Sequence, residues 1–505
     1  MNPKSAAKRA QREERNYLDR VRPHDWKNPE PQVIYDLAIL GAGPAGIEAA
    51  ETAARAGFKV ALIERNRLGG NSLNAGSIPS KAVIRTANVY AQMHDADEFG
   101  APMPTEPAVD FTNVMARMRA IRSRIGEYHT APRFARIGVD LFFGEACFTD
   151  RNAIAVAGAH ISFRKALIAT GARPRPSNIP GLDMVGYRTS DSIFDMTALP
   201  KRIAVIGGGP LGCEIAQALR RLGPQVTILQ NDAKFLPREE RDAAEILSRS
   251  MARCGVEIRL NTTVTGARKG DNGVILKTYN NDIEVDLETD QVLLSIGRVP
   301  NLDGLGLDKA HVAYDAKRGI IVDDFLCTAN PDIYAAGDVC MALKFTNAAQ
   351  ASAQMAVENA LCGGKGRHDA LMIPWCTYCD PEIAHIGLHI WEARRDAVPI
   401  RTFTVMMHDI DRAVTDSQDG GFIKIHVAQH SDKILGATIT ASHASEMINE
   451  VSVLMNAGIG MMALARMPHA YPTQSQGILL AARAFMSDKS AGACSPGRSK
   501  ASPRR

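Results

Sequence analysis

The sequence predicts an α/β protein with two Rossmann-like dinucleotide-binding units and a C-terminal α+β region. The stretch YDLAILGAGPAGIEAAETAARAGFKVALIER, residues 35–65, has the order buried strand, glycine-rich turn, alanine-rich helix and second strand. KRIAVIGGGPLGCEIAQALRRLGPQVTILQN, residues 201–231, repeats that order in register. Residues 401–465 alternate like strands and then become a methionine-rich helical run. The two matched copies indicate two nucleotide domains.

Composition is that of a soluble globular protein. The chain has 505 residues, of which 45% are hydrophobic and 23% charged, so length alone suggests about three domains. No apolar run reaches the roughly 18 residues of a membrane span, and charges stand where a signal peptide would be apolar. We therefore expect a cytoplasmic protein without a membrane span.

Charge and cysteine usage restrict the possible partners. The net charge is only +4, and much of the excess lies in the C-terminal tail, so nucleic-acid binding is not indicated. The nine cysteines are scattered and odd in number, which fits reduced thiols better than a disulfide framework. Most are expected to be small core residues.

The two ends of the chain differ from its middle. Residues 1–35 mix both signs of charge and then become proline-rich, which predicts a short helix followed by an extended linker. Residues 488–505 form a basic tail of Ser, Gly, Pro and Arg with little to bury, which predicts disorder.

Each nucleotide unit carries the pattern Gly-x-Gly-x-x-Gly between a strand and a helix. Glycines there let the backbone turn tightly and approach a pyrophosphate, whose charge then lies on the amides of the helix N-terminus. The glycines are Gly41, Gly43 and Gly46 in the first copy and Gly207, Gly209 and Gly212 in the second.

The residue expected to contact the ribose differs between the copies. In the first it is Glu64, whose carboxylate can accept hydrogen bonds from ribose hydroxyls. In the second it is Gln230, a neutral amide that does not repel a 2′-phosphate, with Lys234 and Arg238 close behind. This pattern favours NADPH slightly over NADH at the second unit.

Two further motifs give a resemblance to a known family. LIATGARP, residues 167–174, closes the first unit, and IYAAGDV, residues 333–339, follows the second. With these, residues 36–487 resemble the flavoprotein pyridine nucleotide-disulfide oxidoreductases, and are most similar to mercuric reductase-like and dihydrolipoamide dehydrogenase-like proteins.

The resemblance implies a domain arrangement and cofactors. It implies an FAD-binding domain over 36–185 and 300–368, an NAD(P)-binding domain over 186–299 and a dimerisation domain over 369–487, and therefore a homodimer. By motif, the first glycine set, Glu64 and Asp338 would hold FAD, and the second set would hold NADPH or NADH. Further cofactor contacts are implied at Thr170, Gly171 and Gly297.

GGNSLNAGSIPSK, residues 69–81, matches a family redox motif with the redox atoms changed. The family places a pair of cysteines there that relays electrons between flavin and a disulfide or metal substrate. The resemblance puts Ser72 and Ser77 at those positions, and a serine forms neither a thiolate nor a disulfide. A dithiol relay is therefore not expected.

Other positions implied as catalytic are partly changed and partly kept. In HAYPTQSQ, Tyr471 stands where disulfide reductases place a histidine, and Gln476 stands where they place its glutamate; a tyrosine there resembles mercuric reductase. The paired cysteines that end mercuric reductases are also missing, with only Cys494 in the tail. Lys81 and Glu214 match a family ion pair beside flavin and nicotinamide, where a cation stabilises the charge that hydride transfer creates.

The expected function is transfer of hydride from NAD(P)H to FAD and then of electrons to a small-molecule acceptor that needs no dithiol. Quinones, dyes, dioxygen or a second nicotinamide are the candidate classes. One alternative is a redox-silent paralogue that uses flavin as a structural ligand for a partner protein. Another is an engineered Cys-to-Ser form of a mercuric reductase-like enzyme.

Two other patterns admit more than one interpretation. Cys376 and Cys379, followed by His385, are structural thiols, a replacement redox pair or metal ligands, and a β-like, proline-bounded segment favours the first. In residues 111–138 an apolar seam predicts a packed helix with its arginines on a solvated face. The seam is Val114, Met118, Ile121, Ile125 and Tyr128, and the arginines are Arg117, Arg119, Arg122 and Arg124. The methionine-rich run is expected in the core or at a subunit interface.

Overall fold

The computed structural model describes residues 3–31, 34–101 and 108–493. It contains two compact units, one of Met1–Ala233 with Cys254–Leu371 and one of Lys234–Arg253 with Met372–Arg505. Among the described residues no helix combines the length and apolar character needed to cross a bilayer.

The first sheet of the first unit is built around the first glycine-rich turn. Its central strands pair in parallel, with Leu37 opposite Val60 and Leu167 opposite Ile39. Strands buried on both faces are typical of parallel sheets covered by helices. The strand order is Val139–Phe143, Val60–Glu64, Tyr35–Leu40, Ala159–Ile168, Ala153–Val156 and Ala146–Asp150, and Ile333–Ala335 also pairs with Ala159–Ile168.

The second glycine-rich turn follows strand Arg202–Ile206 of a second parallel sheet. Its order is Val256–Arg259, Gln225–Leu229, Arg202–Ile206 and Gln291–Leu294. An antiparallel meander, Thr263–Gly270, Gly273–Asn280 and Ile283–Thr289, lies in the chain between strands Val256–Arg259 and Gln291–Leu294 of this sheet. Short pairs join Arg298–Pro300 to Ala172–Pro174 and Tyr314–Asp315 to Gly319–Ile320. Both strand–turn–helix–strand units lie where the sequence predicts them, which confirms the α/β fold class.

Helices of the first unit cover these sheets. The helices that follow the glycine-rich turns begin at Pro44 and Pro210, where a missing N–H costs nothing. The helices are Pro3–Val21, Pro44–Arg55, Gly70–Asn74, Ser77–His94, Phe111–Gly126, Ala131–Arg136, Leu182–Val185, Pro210–Arg221 and Thr346–Leu361.

The second unit is an antiparallel sheet with helices. The strand order is Trp375–Thr377, Glu382–Gly387, Ile434–Ala441, Phe422–Ala428 and Ile400–Met406. The helices are Arg241–Arg253, Ile390–Arg395, Asp411–Thr415, Ala444–Asn456, Met461–Leu464 and Gln476–Ala493. Met447 and Met461 of the methionine-rich run are buried in its apolar core, as expected for a core role.

The helix Arg241–Arg253 belongs to the second unit although the sequence groups it with the second nucleotide domain, 186–299. It contacts strands Glu382–Gly387 and Ile434–Ala441, and Ser250 Oγ donates to Asp380 O at 2.6 Å. The amphipathic pattern of a helix indicates that one face is buried, but it does not indicate which sheet covers that face. The predicted domain boundaries, including those of 186–299, stay predictions.

The helix Phe111–Gly126 partly departs from its predicted pattern. Val114 and Met118 are buried as expected, whereas Tyr128 lies beyond the helix end and is 68% exposed. Arg122 is not on a solvated face, since only 4% of its surface is exposed. It is buried because the N-terminal helix Pro3–Val21 covers it.

The predicted disordered tail begins inside a helix. Gln476–Ala493 is continuous past residue 488, because its apolar face from Ile478 to Phe485 packs into the core of the second unit. Cys494 and the rest of the tail lie outside the described residues.

Candidate functional site

In the first glycine-rich turn, backbone packing requires two of the three glycines. Gly41 has φ +105°, and a Cβ there would lie 2.5 Å from Ala169 O. A Cβ on Gly46 would lie 1.7 Å from Gly41 O. A Cβ on Gly43 would meet only Gly70 Cα, at 3.6 Å, which is ordinary contact. Protein packing therefore does not explain Gly43, and the close approach of a ligand to this glycine stays a prediction.

In the second glycine-rich turn, too, backbone packing requires two of the three glycines. Gly207 has φ +103°, and a Cβ there would lie 2.4 Å from Ser295 O. A Cβ on Gly212 would lie 2.2 Å from Gly207 O, whereas one on Gly209 would have no described atom within 4 Å. The middle glycine of each copy thus leaves the turn open to a ligand.

Glu64 is buried beside the first turn. Its Oε2 accepts from Ala42 N at 2.8 Å and its Oε1 accepts from Asn66 N at 2.7 Å. Burial raises the pKa of Glu64, and these two N–H donors oppose that rise. The carboxylate is thereby held at the C-terminal end of strand Val60–Glu64, where a ribose hydroxyl would meet it.

Gln230 takes the matching place in the second unit. Its Oε1 accepts from Gly208 N at 2.8 Å, and its side chain is half-buried. Lys234 and Arg238 belong to the other compact unit and are exposed.

A cavity of about 470 Å³ opens beside the first turn, within the first unit. It brings together residues predicted from widely separated parts of the sequence. The predicted residues that line it are Gly41, Gly43, Glu64, Ser72, Ser77, Thr170, Gly171 and Asp338. Gly297 is not among the lining residues; it has φ +100°, and its carbonyl accepts from Arg175 N at 2.9 Å.

Both serines of the GGNSLNAGSIPSK stretch are at the cavity wall. Ser72 lies in helix Gly70–Asn74, and its Oγ accepts from Thr346 Oγ1 at 3.0 Å. Ser77 is exposed and begins helix Ser77–His94. The cavity wall therefore offers two hydroxyl groups at these positions.

Lys81 and Glu214 form the ion pair expected from the resemblance. Lys81 Nζ lies 2.7 Å from Glu214 Oε2, and the glutamate side chain is only 4% exposed. Lys81 follows Ser77 by four residues on the same helix, so both side chains lie on one helix face. The pair joins helix Ser77–His94 to helix Pro210–Arg221.

Asp338 lies in the cavity wall among cationic side chains. Burial raises the pKa of Asp338, and the charges of Arg298 and Lys344 oppose that rise. Arg298 Nε is 3.8 Å from Asp338 Oδ2. That buried Nε has no hydrogen-bond partner among the described residues. A hydrogen-bond donor without a partner, beside the carboxylate of Asp338, suits a ligand that has both acceptor and donor atoms. FAD has both.

Several lining residues were not predicted from the sequence. Lys344 Nζ donates to Asp338 O at 2.8 Å, and burial lowers the pKa of this lysine. Asn301 Nδ2 donates to Thr170 O, and Thr170 Oγ1 donates back to Asn301 O, both at 2.8 Å. In the sequence, the signal that could have identified Lys344 as a lining residue is its position soon after the Ala-Gly-Asp motif.

Tyr471 and Gln476 lie in the second unit. Tyr471 is 68% exposed and donates from its hydroxyl to Asp411 Oδ2 at 2.9 Å. This hydrogen bond raises the pKa of Tyr471. Gln476 is the first residue of helix Gln476–Ala493. A role for Tyr471 beside the flavin of a second subunit stays a prediction.

The Cys-x-x-Cys segment lies at the edge of the second unit's sheet. Cys376 is in strand Trp375–Thr377, as its β-like pattern predicts, and Cys379 is buried. His385 uses both ring nitrogens, with Thr438 Oγ1 at 2.7 Å and Gly387 O at 2.9 Å. Within the described part of the chain, no group of three or more His, Cys, Asp or Glu is arranged to hold a metal.

Comparison with known proteins identifies matches over nearly the whole chain. A family model described as pyridine nucleotide-disulphide oxidoreductase matches residues 35–356, and one for the dimerisation domain of those proteins matches residues 373–482. The chain is 31% identical over 465 residues to mercuric reductase of Staphylococcus aureus, which covers 92% of this chain and 84% of that protein. It is 31% identical over 461 residues to dihydrolipoyl dehydrogenase of Thermus scotoductus, with coverage of 89% and 97%.

Solved structures give the same assignment. LpdA from Mycobacterium tuberculosis superposes with a TM-score of 0.82 at 27% identity, over 90% of this chain and 100% of that one. The HOCl-induced flavoprotein disulfide reductase RclA from Escherichia coli superposes with a TM-score of 0.77 at 27% identity, over 88% and 98%.

Proposed function

The chain belongs to the pyridine nucleotide-disulphide oxidoreductase family, whose members use FAD and NAD(P)H, and we propose that this FAD-containing oxidoreductase passes its electrons to an acceptor that needs no active-site dithiol. Quinones, small dyes, dioxygen and a second nicotinamide are the acceptor classes that fit. Mercury and disulfide substrates that must exchange with thiolates do not fit.

The observation that carries this proposal is the pair of serine hydroxyls in the cavity wall. Ser72 is held by Thr346 and Ser77 begins its helix. A hydroxyl at neutral pH offers neither a thiolate nucleophile nor a sulfur that can form a disulfide. No dithiol at these positions could therefore accept electrons that reach this cavity.

The residues of the first unit are suited to holding FAD. Helix Pro44–Arg55 begins directly after Gly43, so its first amides and its dipole would stabilise a pyrophosphate at this turn. Glu64 would accept from ribose hydroxyls, while Asp338 and Arg298 would pair with polar atoms further along the cavity. When bound, the isoalloxazine ring supplies two-electron chemistry with NAD(P)H.

Lys81 and Glu214 would act by fixed charge. Glu214 holds the Lys81 ammonium in one place, one helical turn after Ser77, which lines the cavity. A fixed cation stabilises negative charge that develops nearby, and such electrostatic effects are commonly worth roughly 2 to 4 kcal/mol. Lys81 does not itself line the cavity, so its effect would be exerted at a distance.

We further propose a homodimer formed through the second unit. The match of residues 373–482 to a dimerisation domain supports this. Tyr471, exposed in the single chain, would then become available to the cavity of the partner subunit. Light scattering on the purified protein tests the assembly, and a monomer at micromolar concentration would contradict it.

Anaerobic titration with NADPH and NADH tests the proposed electron path. The protein should take up two electrons per bound FAD, because the flavin is its one electron store at this site. The matched variant Ser72→Cys/Ser77→Cys should take up about twice as many once its new thiols are oxidised. Uptake of four electrons by the unmodified protein would reveal another redox pair, with Cys376 and Cys379 the first to replace. No flavin reduction by either nucleotide would favour the redox-silent binding protein.

A further inference from the structure

The N-terminal helix Pro3–Val21 is docked on the first unit by buried side chains. Tyr17 and Val21 are fully buried and belong to the apolar core around the first sheet. A Cβ on Gly126 would lie 3.0 Å from the Tyr17 ring, so the helix Phe111–Gly126 approaches closely at that point. This segment is therefore part of the folded unit and not a loose extension.

The same helix brings a carboxylate to the cavity wall. Glu14 lines the cavity, and so does Arg122 of the neighbouring helix. Arg122 Nη2 donates to both carboxylate oxygens of Glu14, at 2.6 and 2.7 Å, and Nη1 donates to Asn74 O at 3.1 Å. The guanidinium also lies over the Tyr17 ring, 4.6 Å from its centre.

Arg122 is not fully satisfied by these contacts. Its side chain is 5% exposed, and its Nε is buried without a hydrogen-bond partner among the described residues. A buried donor without an acceptor is unfavourable.

The end of the helix also fixes the loop that follows Glu64. Arg22 Nη1 donates to the carbonyls of Arg65 and Asn66, and Val21 O accepts from Leu68 N at 3.0 Å. Because Glu64 is the predicted ribose position of the first unit, these contacts place the C-terminal end of the helix beside that position, and Glu14 lies further along the same helix.

On the basis of the FAD site proposed above, we propose that Glu14 and Arg122 form the outer part of the adenosine subsite. A carboxylate at the cavity wall can accept from an amino group or a ribose hydroxyl, and Arg122 holds that carboxylate in place through its two hydrogen bonds. A pyrophosphate would be repelled by Glu14, so the chemistry favours the adenosine half over the phosphates. The N-terminal helix thus contributes to retaining the cofactor.

The test compares Glu14→Gln with Asp19→Asn in the full chain. Both variants remove one carboxylate from the same helix, but Asp19 is exposed and does not line the cavity. After release of bound flavin, rebinding of FAD is followed by quenching of flavin fluorescence, and ADP is titrated as a competitor. Competition against FAD reports only the flavin site, although ADP could also occupy the second nucleotide unit.

Glu14→Gln should weaken FAD and ADP by similar factors of about tenfold, the size of one charge-assisted hydrogen bond, while Asp19→Asn should match the unmodified protein. Unchanged affinities in Glu14→Gln, or equal losses in both variants, would overturn the proposal. If Glu14→Gln does not fold, Glu14→Asp serves instead, and the FAD-induced rise in melting temperature must shrink. A rise of unchanged size would leave Glu14 only a structural role. These binding measurements use no electron acceptor, so their failure would leave the proposed electron path standing.

Discussion

Glu64 Oε2 accepts a hydrogen bond from Ala42 N at 2.8 Å, and Gln230 Oε1 accepts from Gly208 N at the same distance and the same sequence separation of 22 residues. Each side chain therefore fixes its own glycine-rich turn with one oxygen. The two copies differ in charge but not in this contact. Charge at position 230 can be changed without removing the acceptor that the turn needs.

Gln230→Glu should shift nucleotide preference towards NADH. The new carboxylate keeps an oxygen for Gly208 N, accepts from a ribose 2′-hydroxyl and repels a 2′-phosphate. We expect the ratio of kcat/KM for NADH over NADPH to rise by about tenfold or more, equivalent to roughly 1.4 kcal/mol. Asn231→Asp adds the same charge at the next, exposed residue and is the control. An equal shift in both variants would show that general charge, and not position 230, sets the preference.

Gly207→Ala should lower the free energy of unfolding, whereas Gly209→Ala should lower the affinity for NAD(P)H. At Gly207 the Cβ would collide with Ser295 O and the backbone has φ +103°, so we expect a loss of about 2 to 4 kcal/mol in the free energy of unfolding. Gly209→Ala should fold normally and weaken NAD(P)H binding by about tenfold, because only the ligand approaches that position closely. Denaturant unfolding and nucleotide titration separate the two effects. Normal nucleotide affinity in Gly209→Ala would remove the ligand explanation for this glycine.

Local sequence patterns were enough to predict the two nucleotide units. A strand, a glycine-rich turn and a helix lie within about 30 residues, and their period and glycine spacing are read directly from the chain. The positions of Glu64 and Gln230 followed from the same spacing. The Lys81–Glu214 pair needed the family resemblance, since the two residues are 133 positions apart.

Contacts between distant segments were not predictable in this way. Periodicity placed Arg122 on a solvated face, which is wrong, because it gave no sign that Glu14, 108 residues earlier, would cover this side chain. The hydrogen bond from Thr346 to Ser72 joins residues 274 positions apart. Such partners depend on which surfaces meet after folding, and a single sequence carries no direct record of that.

Glu382→Gln should reduce the pH dependence of stability in the second unit. Burial raises the pKa of Glu382 from 4.5 to about 7, although Ser445 N donates to it at 2.8 Å. Because the folded state holds the proton more tightly, this group stabilises the fold fully below pH 4.5, and that contribution is lost as pH rises through about 7.

Denaturant unfolding at several pH values measures this effect. The stability of the unmodified protein relative to Glu382→Gln should fall by about 1 to 3 kcal/mol between pH 4.5 and 7.5. Asp419→Asn, at an exposed carboxylate of the same unit, should show no such trend. A constant difference across that range would mean that Glu382 titrates normally in the folded state.

Lys81→Met and Glu214→Gln should show strong coupling. Glu214 is 4% exposed and Lys81 is 34% exposed, with 2.7 Å between their charged atoms, so removing the lysine takes a close cationic partner from a buried carboxylate. Breaking a fully buried pair typically costs 3 to 5 kcal/mol, and the partial exposure of Lys81 reduces this to about 1 to 3 kcal/mol. Each single variant should therefore lose stability, while the double variant should lose much less than the sum of the two.

Flavin reduction by NADPH gives the functional half of the same cycle. If the fixed ammonium stabilises charge near Ser77, Lys81→Met should slow reduction by about thirtyfold to a thousandfold, and Lys81→Arg, which keeps a charge, should recover most of the rate. Glu214→Gln leaves the ammonium present but less well held, so it should have a smaller effect than Lys81→Met. The alternative is that the ion pair only links helices Ser77–His94 and Pro210–Arg221. In that case Lys81→Met would reduce its flavin as fast as the unmodified protein does, while the unfolding measurements would still show a large coupling energy.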